Sequence, residues 1–400
     1  MKEKGLSTLA VHAGERVTRT DCTPICTPVH NAVTYTYGDM NALDAVFSGE
    51  RVGYVYSRFA NPTVTALEEA VAQLEAGEAA VACASGMAAI HLALLAAGAM
   101  AGSTVLTSRD LYGGTHALLT RVLAKQGVQV RAVEMSDLSA VKAAVAESRP
   151  SLLLVETISN PLLRVADIPS LVEIAQTAGS AVIVDNTFAT PCLYRPILHG
   201  ADYVVHSATK YLGGHGDAMG GVVVAARQRC LAMKEIQKLI GDVLGPNEAW
   251  LILRGLKTLA LRMRQQCQNA AAVARFLSSH ARVQRVFYPG LPTHPQFALC
   301  RRLFPANDCG AMVSFELRGA AQEQVFGFMN ALKLIVPATS LGDVTSLILY
   351  PRHSSHRSLS DEERQGLGIH PNLLRLSVGI EQVADIIADL AQALEAVGTE

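Results

Sequence analysis

Short apolar runs alternate with segments of helical length between residues 79 and 225, and this alternation constrains the fold more than any other feature of the sequence. The apolar runs predicted as strands are 79–83, 104–107, 128–133, 152–157, 181–187 and the run that ends at Ser207. Strands that alternate with helices are typical of a parallel sheet covered by helices. The sequence therefore predicts an α/β protein with a mostly parallel central sheet.

The length of 400 residues is too great for one hydrophobic core and predicts more than one domain. The expected units are an N-terminal arm over 1–60, a large domain over 61–255 and a smaller α+β C-terminal domain over 256–400. A helix is predicted to start at Asn61-Pro62, because proline suits the first helical turn. In the smaller domain, the alternation in 311–317 predicts a half-exposed strand, and 382–397 is predicted to be an amphipathic helix.

One apolar run ends in Ser207-Ala208-Thr209-Lys210, shortly before a Gly-rich turn. Ligands of open α/β sheets bind at the carboxyl edge of the strands. Desolvation there lowers the pKa of a lysine, so that its amine becomes a nucleophile suited to Schiff-base chemistry. Because the hydroxyls of Ser207 and Thr209 suit a phosphate, these residues together point to pyridoxal phosphate (PLP). An ordinary strand followed by an exposed lysine gives the same pattern.

Other strand ends carry residues that suit such a site. The turn Ser85-Gly86-Met87 opens a helix, where free backbone N–H groups can hold a phosphate, although many such turns bind nothing. Tyr112 stands between a strand end and a Gly-Gly turn, and it is either placed to lie flat on an aromatic ligand or is an ordinary turn tyrosine. Asp185 ends a buried strand, where it could pair with the pyridine nitrogen of PLP or cap the next turn.

Charge and cysteine content argue against several other classes of protein. A formal net charge of -1 leaves no basic field to attract nucleic acid or an anionic membrane. The 8 cysteines are scattered without a CxxC pair, which predicts reduced thiols, no metal site and a cytoplasmic protein. The longest stretch of low charge, 79–102, is interrupted by polar and glycine residues and predicts a strand, a turn and a helix rather than a membrane span.

A set of motifs occurs in one order along the chain between Tyr35 and about Leu394. The motifs are Tyr56-Ser57-Arg58 with Asn61-Pro62-Thr63, Ala84-Ser85-Gly86-Met87, Asp185-Asn186-Thr187, Ser207-Ala208-Thr209-Lys210, Ser340-Leu341-Gly342 and Arg375-Leu376-Ser377-Val378-Gly379. This set resembles the Cys/Met-metabolism PLP enzymes, the trans-sulfuration group, over nearly the whole chain. The resemblance implies the PLP-dependent transferase fold of type I.

The resemblance also implies roles for the matching residues. Lys210 would carry PLP and later move protons, Asp185 would pair with the pyridine nitrogen, and Tyr112 would stack on the ring and serve in proton transfer. The residues that would hold the phosphate are Gly86, Met87, Ser207 and Thr209. Arg375 would bind the substrate α-carboxylate, because a guanidinium matches a carboxylate with two parallel hydrogen bonds. Asn160 and Ser340 would assist it.

The resemblance implies a shared active site between subunits. Tyr56 and Arg58 would reach the phosphate of a neighbouring subunit, which explains an unpatterned N-terminal arm. The expected assembly is therefore a homodimer with shared active sites, paired into a homotetramer.

Within the family, we expect γ-elimination on an L-homocysteine-type sulfur amino acid (methionine, homocysteine or cystathionine), giving 2-oxobutanoate, ammonia and a thiol. The runs 214–217 and 340–343 look most like γ-lyases of this kind. Thr339 is neutral where several cystathionine-handling members carry a glutamate, and it fits a short apolar tail. The alternative is γ-replacement on an O-acyl-L-homoserine. Gly114 leaves this alternative open, because the resemblance to methionine γ-lyases would lead one to expect a cysteine, which some of them carry at this position.

The run 350–356 departs from the commoner form Pro-Ala-x-Met-Thr-His of the family. Its Arg352 and His353 either touch substrate or face solvent, and we favour solvent.

Two hypotheses of other classes are disfavoured. A protein with this fold that binds without turnover would be expected to lack Lys210, Asp185 or Arg375. A retro-aldol or NAD-binding α/β enzyme is weaker still, since no G-x-G-x-x-G opens the first βα unit.

Overall fold

A seven-stranded sheet forms the centre of the larger part of the molecule, and the prediction of a mostly parallel sheet is confirmed. The computed structural model describes residues 4–15, 22–305, 308–357 and 360–396. The strands of this sheet are β1 (Ala79–Cys83), β2 (Thr104–Ser108), β3 (Gln129–Val133), β4 (Leu152–Glu156), β5 (Ala181–Asp185), β6 (Tyr203–Ser207) and β7 (Gly221–Ala225). Their order is β1-β7-β6-β5-β4-β2-β3, and β7 runs antiparallel to both of its neighbours.

Helices cover both faces of this sheet. The α-helices in this part of the chain are α1 (Leu6–His12), α2 (Met40–Phe47), α3 (Pro62–Glu75), α4 (Gly86–Ala96), α5 (Gly113–Ala117), α6 (Leu138–Ser148), α7 (Ile168–Gln176), α8 (Thr190–Leu193), α9 (Arg227–Ile240) and α10 (Pro246–Leu256). Consecutive residues of a strand point to opposite faces, so Val204 belongs to one apolar cluster and Val205 to the other. Asn61 caps α3 through its side chain with Pro62 in the first turn, which confirms the predicted helix start.

The C-terminal part of the chain forms a second, five-stranded sheet with its own helices. Its strands are β8 (Val283–Phe287), β9 (Met312–Leu317), β10 (Val336–Pro337), β11 (Leu347–Leu349) and β12 (Leu373–Ser377), in the order β10-β11-β12-β9-β8. The helices are α11 (Leu259–Ser279), α12 (Phe297–Leu303), α13 (Gln322–Ala331), α14 (Asp361–Leu367) and α15 (Val383–Ala396). The amphipathic helix predicted over 382–397 is therefore α15, although Val397 lies outside the described residues.

The prediction of a half-exposed strand over 311–317 is wrong, because every residue of β9 is buried. Phe315 packs edge-to-face on Phe328 of α13, with ring centroids 6.0 Å apart. On the other face, the hydroxyl of Ser314 donates a hydrogen bond of 2.6 Å to the carbonyl of Pro161 in the larger part of the molecule. A central strand covered on both sides has no solvent face, whatever its sequence alternation.

Among the first sixty residues, those that the structure describes include two short helices, α1 and α2, and residues 22–38 contain no helix. Trp250 of α10 anchors this non-helical segment, since its indole N–H donates to the carbonyl of Thr27 at 3.0 Å. Residues 1–3 and 16–21 of the predicted arm lie outside the described residues. The boundaries 1–60, 61–255 and 256–400, and the contribution of the arm to a neighbouring subunit, stay predictions.

The stretch 79–102 folds as predicted into strand β1, a turn and helix α4. Within the part of the chain that the structure describes, no helix has both the length and the apolar character needed to span a bilayer.

Candidate active site

A cavity of about 610 Å³ lies where the carboxyl ends of the central strands meet the second sheet. The predicted site residues that line it are Gly86, Met87, Tyr112, Asn160, Asp185, Ser207, Thr209, Lys210 and Arg375. Ser340 joins this group because its hydroxyl accepts a hydrogen bond from Lys210 Nζ at 3.1 Å. The structure thus brings together residues that lie up to 289 positions apart, from Gly86 to Arg375 (375 − 86).

Lys210 stands three residues beyond the end of β6, in a turn rather than in the strand itself. Its backbone N–H donates to the carbonyl of Ser207, which fixes the turn against the strand end. Burial, together with the nearby guanidinium of Arg375, lowers the pKa of Lys210 from its ordinary value. A lysine in this setting has a larger share of neutral, nucleophilic amine than a surface lysine has.

The loop after Lys210 is held by a buried arginine that the sequence analysis did not single out. The guanidinium of Arg262 in α11 donates to the carbonyl of Tyr211 at 2.8 Å and to that of Gly255 at 2.9 Å. Burial lowers the pKa of Arg262 to about 10, so that it remains charged near neutral pH. Gly342 closes the loop from the other side. It has a φ of +76°, and a Cβ there would come within 2.7 Å of the backbone nitrogen of Tyr211.

Asp185 ends β5 with its carboxyl group directed into the cavity. One oxygen accepts a hydrogen bond of 3.0 Å from the backbone N–H of Thr187. Burial raises the pKa of Asp185 from its ordinary value. A protonated ring nitrogen beside this carboxyl would favour its ionised form and offset the cost of burial, so the group suits the pyridine nitrogen of PLP.

The first turn of α4 forms a cradle for an anion. Ser85 caps the helix by accepting a hydrogen bond of 3.1 Å from the backbone N–H of Ala88, and the preceding N–H groups of Gly86 and Met87 lie in the turn that no helical carbonyl can satisfy. A Cβ at position 86 would lie 2.7 Å from that of Ser207, so only glycine permits this approach.

The two hydroxyls predicted to hold the phosphate differ in their surroundings. Ser207 lies directly against Gly86 at the cradle. The Thr209 hydroxyl donates to the carbonyl of Gly220 at 3.2 Å and accepts from its N–H at 3.0 Å. Ser207 is therefore the freer of the two to donate to an anion.

Arg375 of β12 lines the cavity from the second sheet. Its guanidinium donates to the side-chain oxygen of Asn160 at 2.9 Å and to the carbonyl of Ser340 at 3.3 Å. Burial lowers the pKa of Arg375 to about 10, which leaves the group charged near neutral pH. A charged guanidinium whose orientation is fixed by two protein acceptors is suited to bind a carboxylate.

Tyr56 and Arg58 do not reach this cavity within one chain. Arg58 donates instead to the carbonyl of Lys238 at the end of α9, and Tyr56 is 38% exposed. Their contribution to a neighbouring subunit stays a prediction.

Two serines of the segment 350–356 line the cavity, whereas Arg352 and His353, which the sequence analysis singled out, make contacts elsewhere. Arg352 forms an ion pair of 2.9 Å with Asp361, and His353 stacks on Tyr350 with ring centroids 4.9 Å apart. Ser354 and Ser355 line the cavity together with Thr339. The sequence analysis did not assign a role to either serine.

Glu156 is a further cavity residue without a role in the sequence analysis. It is the last residue of β4 and lies directly opposite Asp185 on the neighbouring strand. Its position at a strand end beside a strand that ends in an acid was the only signal available. Taken together, an amine with a lowered pKa, a carboxyl at a strand end and an anion cradle fit PLP.

Comparison with known proteins gives matches over almost the whole chain. The family described as Cys/Met metabolism PLP-dependent enzyme matches residues 7–395. The chain is 43% identical to L-methionine gamma-lyase of Fusobacterium nucleatum, over 99% of each chain. It is 41% identical to cystathionine gamma-lyase of Bacillus subtilis, over 99% of this chain and 100% of the relative. A solved structure of cystathionine gamma synthase from Xanthomonas oryzae, in complex with cystathionine, is similar with a TM-score of 0.92 and 37% identity, over 99% of each chain.

Proposed function

Because the chain belongs to the Cys/Met metabolism family of PLP-dependent enzymes, we propose that it catalyses γ-elimination on an L-homocysteine-type sulfur amino acid. The family, the type I fold and the PLP cofactor expected from the sequence are confirmed. The chain is a PLP-dependent enzyme of sulfur amino-acid metabolism that carries out γ-elimination or γ-replacement. The proposed products are 2-oxobutanoate, ammonia and a thiol.

The observation that carries the proposal is the convergence of Lys210, Asp185 and Arg375 on one cavity. They supply an amine, an acid and a carboxylate-binding guanidinium, which are the three groups that an amino-acid reaction with PLP needs from the protein. We infer that Gly86, Met87, Ser207 and Thr209 hold the phosphate. Tyr56 and Arg58 of a second subunit complete the phosphate site in this proposal.

Bound PLP supplies an electron sink for the negative charge that develops at the substrate Cα. In our proposal Arg375, held by Asn160, binds the α-carboxylate and orients the Cα–H bond. The lowered pKa of Lys210 suits its Nζ to take that proton and to deliver it elsewhere. Tyr112, at the cavity wall, would stack on the ring and would move a proton to the leaving sulfur.

The cavity wall beyond Arg375 supports elimination from a substrate with a neutral tail. Thr339, Ser354 and Ser355 contribute hydroxyl groups there, and Leu341 contributes an apolar surface. A short thioether or thiol needs no charged partner, so methionine and homocysteine suit this wall. The similarity to two γ-lyases supports the same choice.

One observation favours γ-replacement on an O-acyl-L-homoserine as the second candidate. At position 114, where some methionine γ-lyases carry a cysteine, this chain has glycine. A Cβ there would lie 2.6 Å from the ring of Tyr112, so that the ring occupies the space of a side chain. The similarity to a cystathionine gamma synthase agrees with this alternative.

We further propose that the enzyme is a homodimer with shared active sites, paired into a homotetramer, and that it is cytoplasmic. The support for shared active sites is the position of Arg58, which lies away from the cavity of its own chain.

The decisive experiment measures 2-oxobutanoate release from purified protein with PLP and, separately, L-methionine, L-homocysteine, L-cystathionine and an O-acyl-L-homoserine. Strong release from one of the first three without an added thiol supports the γ-lyase and identifies its leaving group. Product formation only when an O-acylhomoserine meets cysteine or sulfide would overturn the lyase proposal in favour of γ-replacement.

A further inference from the structure

The carboxyl group of Glu156 contacts the backbone of two different walls of the cavity. Its Oε1 accepts a hydrogen bond of 2.6 Å from the backbone N–H of Tyr112, 44 residues away in sequence. The backbone N–H of Asn160 faces the same carboxyl group as a second donor. Glu156 is only 8% exposed, so water has little access to compete with these two donors.

The two residues held in this way have different proposed roles in the cavity. Tyr112 precedes α5 and lines the cavity, where it is proposed to stack on the cofactor ring. Asn160 accepts the hydrogen bond that orients Arg375. One carboxyl group therefore links the wall that faces the ring to the guanidinium that faces the substrate carboxylate.

We propose that Glu156 is a positioning residue, whose carboxyl group sets the stacking Tyr112 and the Asn160–Arg375 pair at a fixed distance from each other. This inference rests on the proposed function. It assigns no proton transfer to Glu156, since both contacts are made to backbone groups.

The chemistry of a carboxyl group explains why glutamate suits this position. It offers two oxygen acceptors at the end of a two-carbon stem, one for each backbone donor. Glutamine keeps one oxygen acceptor but presents an NH₂ group to the other donor. Methionine has a similar length and offers no strong acceptor.

The test compares the variants E156Q and E156M with the wild-type enzyme loaded with PLP. The visible circular dichroism of the bound cofactor reports the position of the ring and its stacking partner. The dissociation constant for L-alanine, read from the change in cofactor absorbance, reports the carboxylate site. L-Alanine has no γ-substituent, so this readout does not depend on whether the proposed γ-elimination occurs.

We expect E156M to reduce the visible dichroism and to weaken L-alanine binding about tenfold, because both backbone donors lose their partner. E156Q should change one of the two readouts strongly and the other little, because its amide satisfies only one donor. If E156M does not fold, this split in E156Q decides the matter.

The matched control is E316Q, which removes another buried carboxylate, in β9, where Glu316 pairs with His370 away from the cavity. It should leave both readouts unchanged. Dichroism and L-alanine affinity within about twofold of wild type in both Glu156 variants would overturn the proposal. So would a lowered melting temperature as their sole change, since that is what a purely structural role predicts.

Discussion

Asn160 Oδ1 accepts a hydrogen bond of 2.9 Å from the guanidinium of Arg375, and this bond joins the loop after β4 to strand β12 of the second sheet. The two sheets thus meet through a polar contact at the place where a substrate carboxylate is proposed to bind. Arg375 also donates to the carbonyl of Ser340, so its position is fixed from both parts of the molecule.

Substitution N160A should raise the KM for the amino-acid substrate about tenfold and change kcat less, because Arg375 loses the acceptor that orients it. Steady-state kinetics with the best substrate measure both constants. The control is N247A at an exposed position of α10. An unchanged KM in N160A would show that Arg375 keeps its orientation without Asn160.

Substitution K210M should abolish retention of PLP through gel filtration and should stabilise the cofactor-free protein near pH 7. The structure lowers the pKa of Lys210 below its ordinary value of 10.5, so the folded state binds the proton less tightly than the unfolded state does. This cost to stability is fully present below the folded pKa and disappears as the pH rises towards 10.5.

Thermal unfolding of cofactor-free wild type and K210M across pH 7 to 10 measures this effect. The stability advantage of the variant should shrink as the pH rises. The control is K142M at an exposed position of α6. A difference between K210M and wild type that stays constant over this range would contradict the assigned cause.

Substitution R262M should lower the free energy of unfolding by about 3 kcal/mol, because the buried carbonyls of Tyr211 and Gly255 lose their donor. Urea unfolding of the cofactor-free protein measures the change. R264M, two residues along α11 and exposed, provides the matched control. Equal stability of the two variants would show that other contacts hold the loop after Lys210.

Substitution R352A should leave kcat/KM within about twofold of wild type, since the partly exposed ion pair with Asp361 lies outside the cavity. Kinetics with methionine and with cystathionine check this expectation. A large loss with either substrate would place Arg352 at the substrate despite its pairing with Asp361.

Substitution S354M restores the methionine of the commoner family form at the cavity wall. It should favour methionine over cystathionine by about tenfold in kcat/KM, because the added side chain supplies apolar contact and removes space for a long tail. The ratio of the two kcat/KM values is the measurement. An unchanged ratio would show that Ser354 does not contact the γ-substituent.

Features that depend on local sequence were predictable, and those that depend on tertiary packing were not. The strand ends at Asp185 and Ser207 and the helix start at Pro62 follow from local patterns. The placement of Asp185 and Ser207 in one cavity follows from parallel strands, whose carboxyl ends share one edge of the sheet.

Arg262 and β9 show where local reasoning ends. Arg262 lies 51 residues from Tyr211, and its role appears only when α11 packs against the loop after Lys210. The alternation in β9 predicts a solvent face, but α13 and the loop at Pro161 cover both sides. Both features depend on which helix or loop packs against a given segment, and the local hydrophobic periodicity of the sequence does not contain that information.

The pairing of β1 with β7 has a consequence for biosynthesis. In the described sheet β1 is an edge strand whose partner is β7, with Ala79 opposite Ala225. A nascent chain that has not yet released residue 225 therefore exposes β1 without a partner, and its apolar residues await a strand made much later. Translation through β7 is thus the earliest point at which the central sheet can close, and a fragment that stops short of it is expected to aggregate.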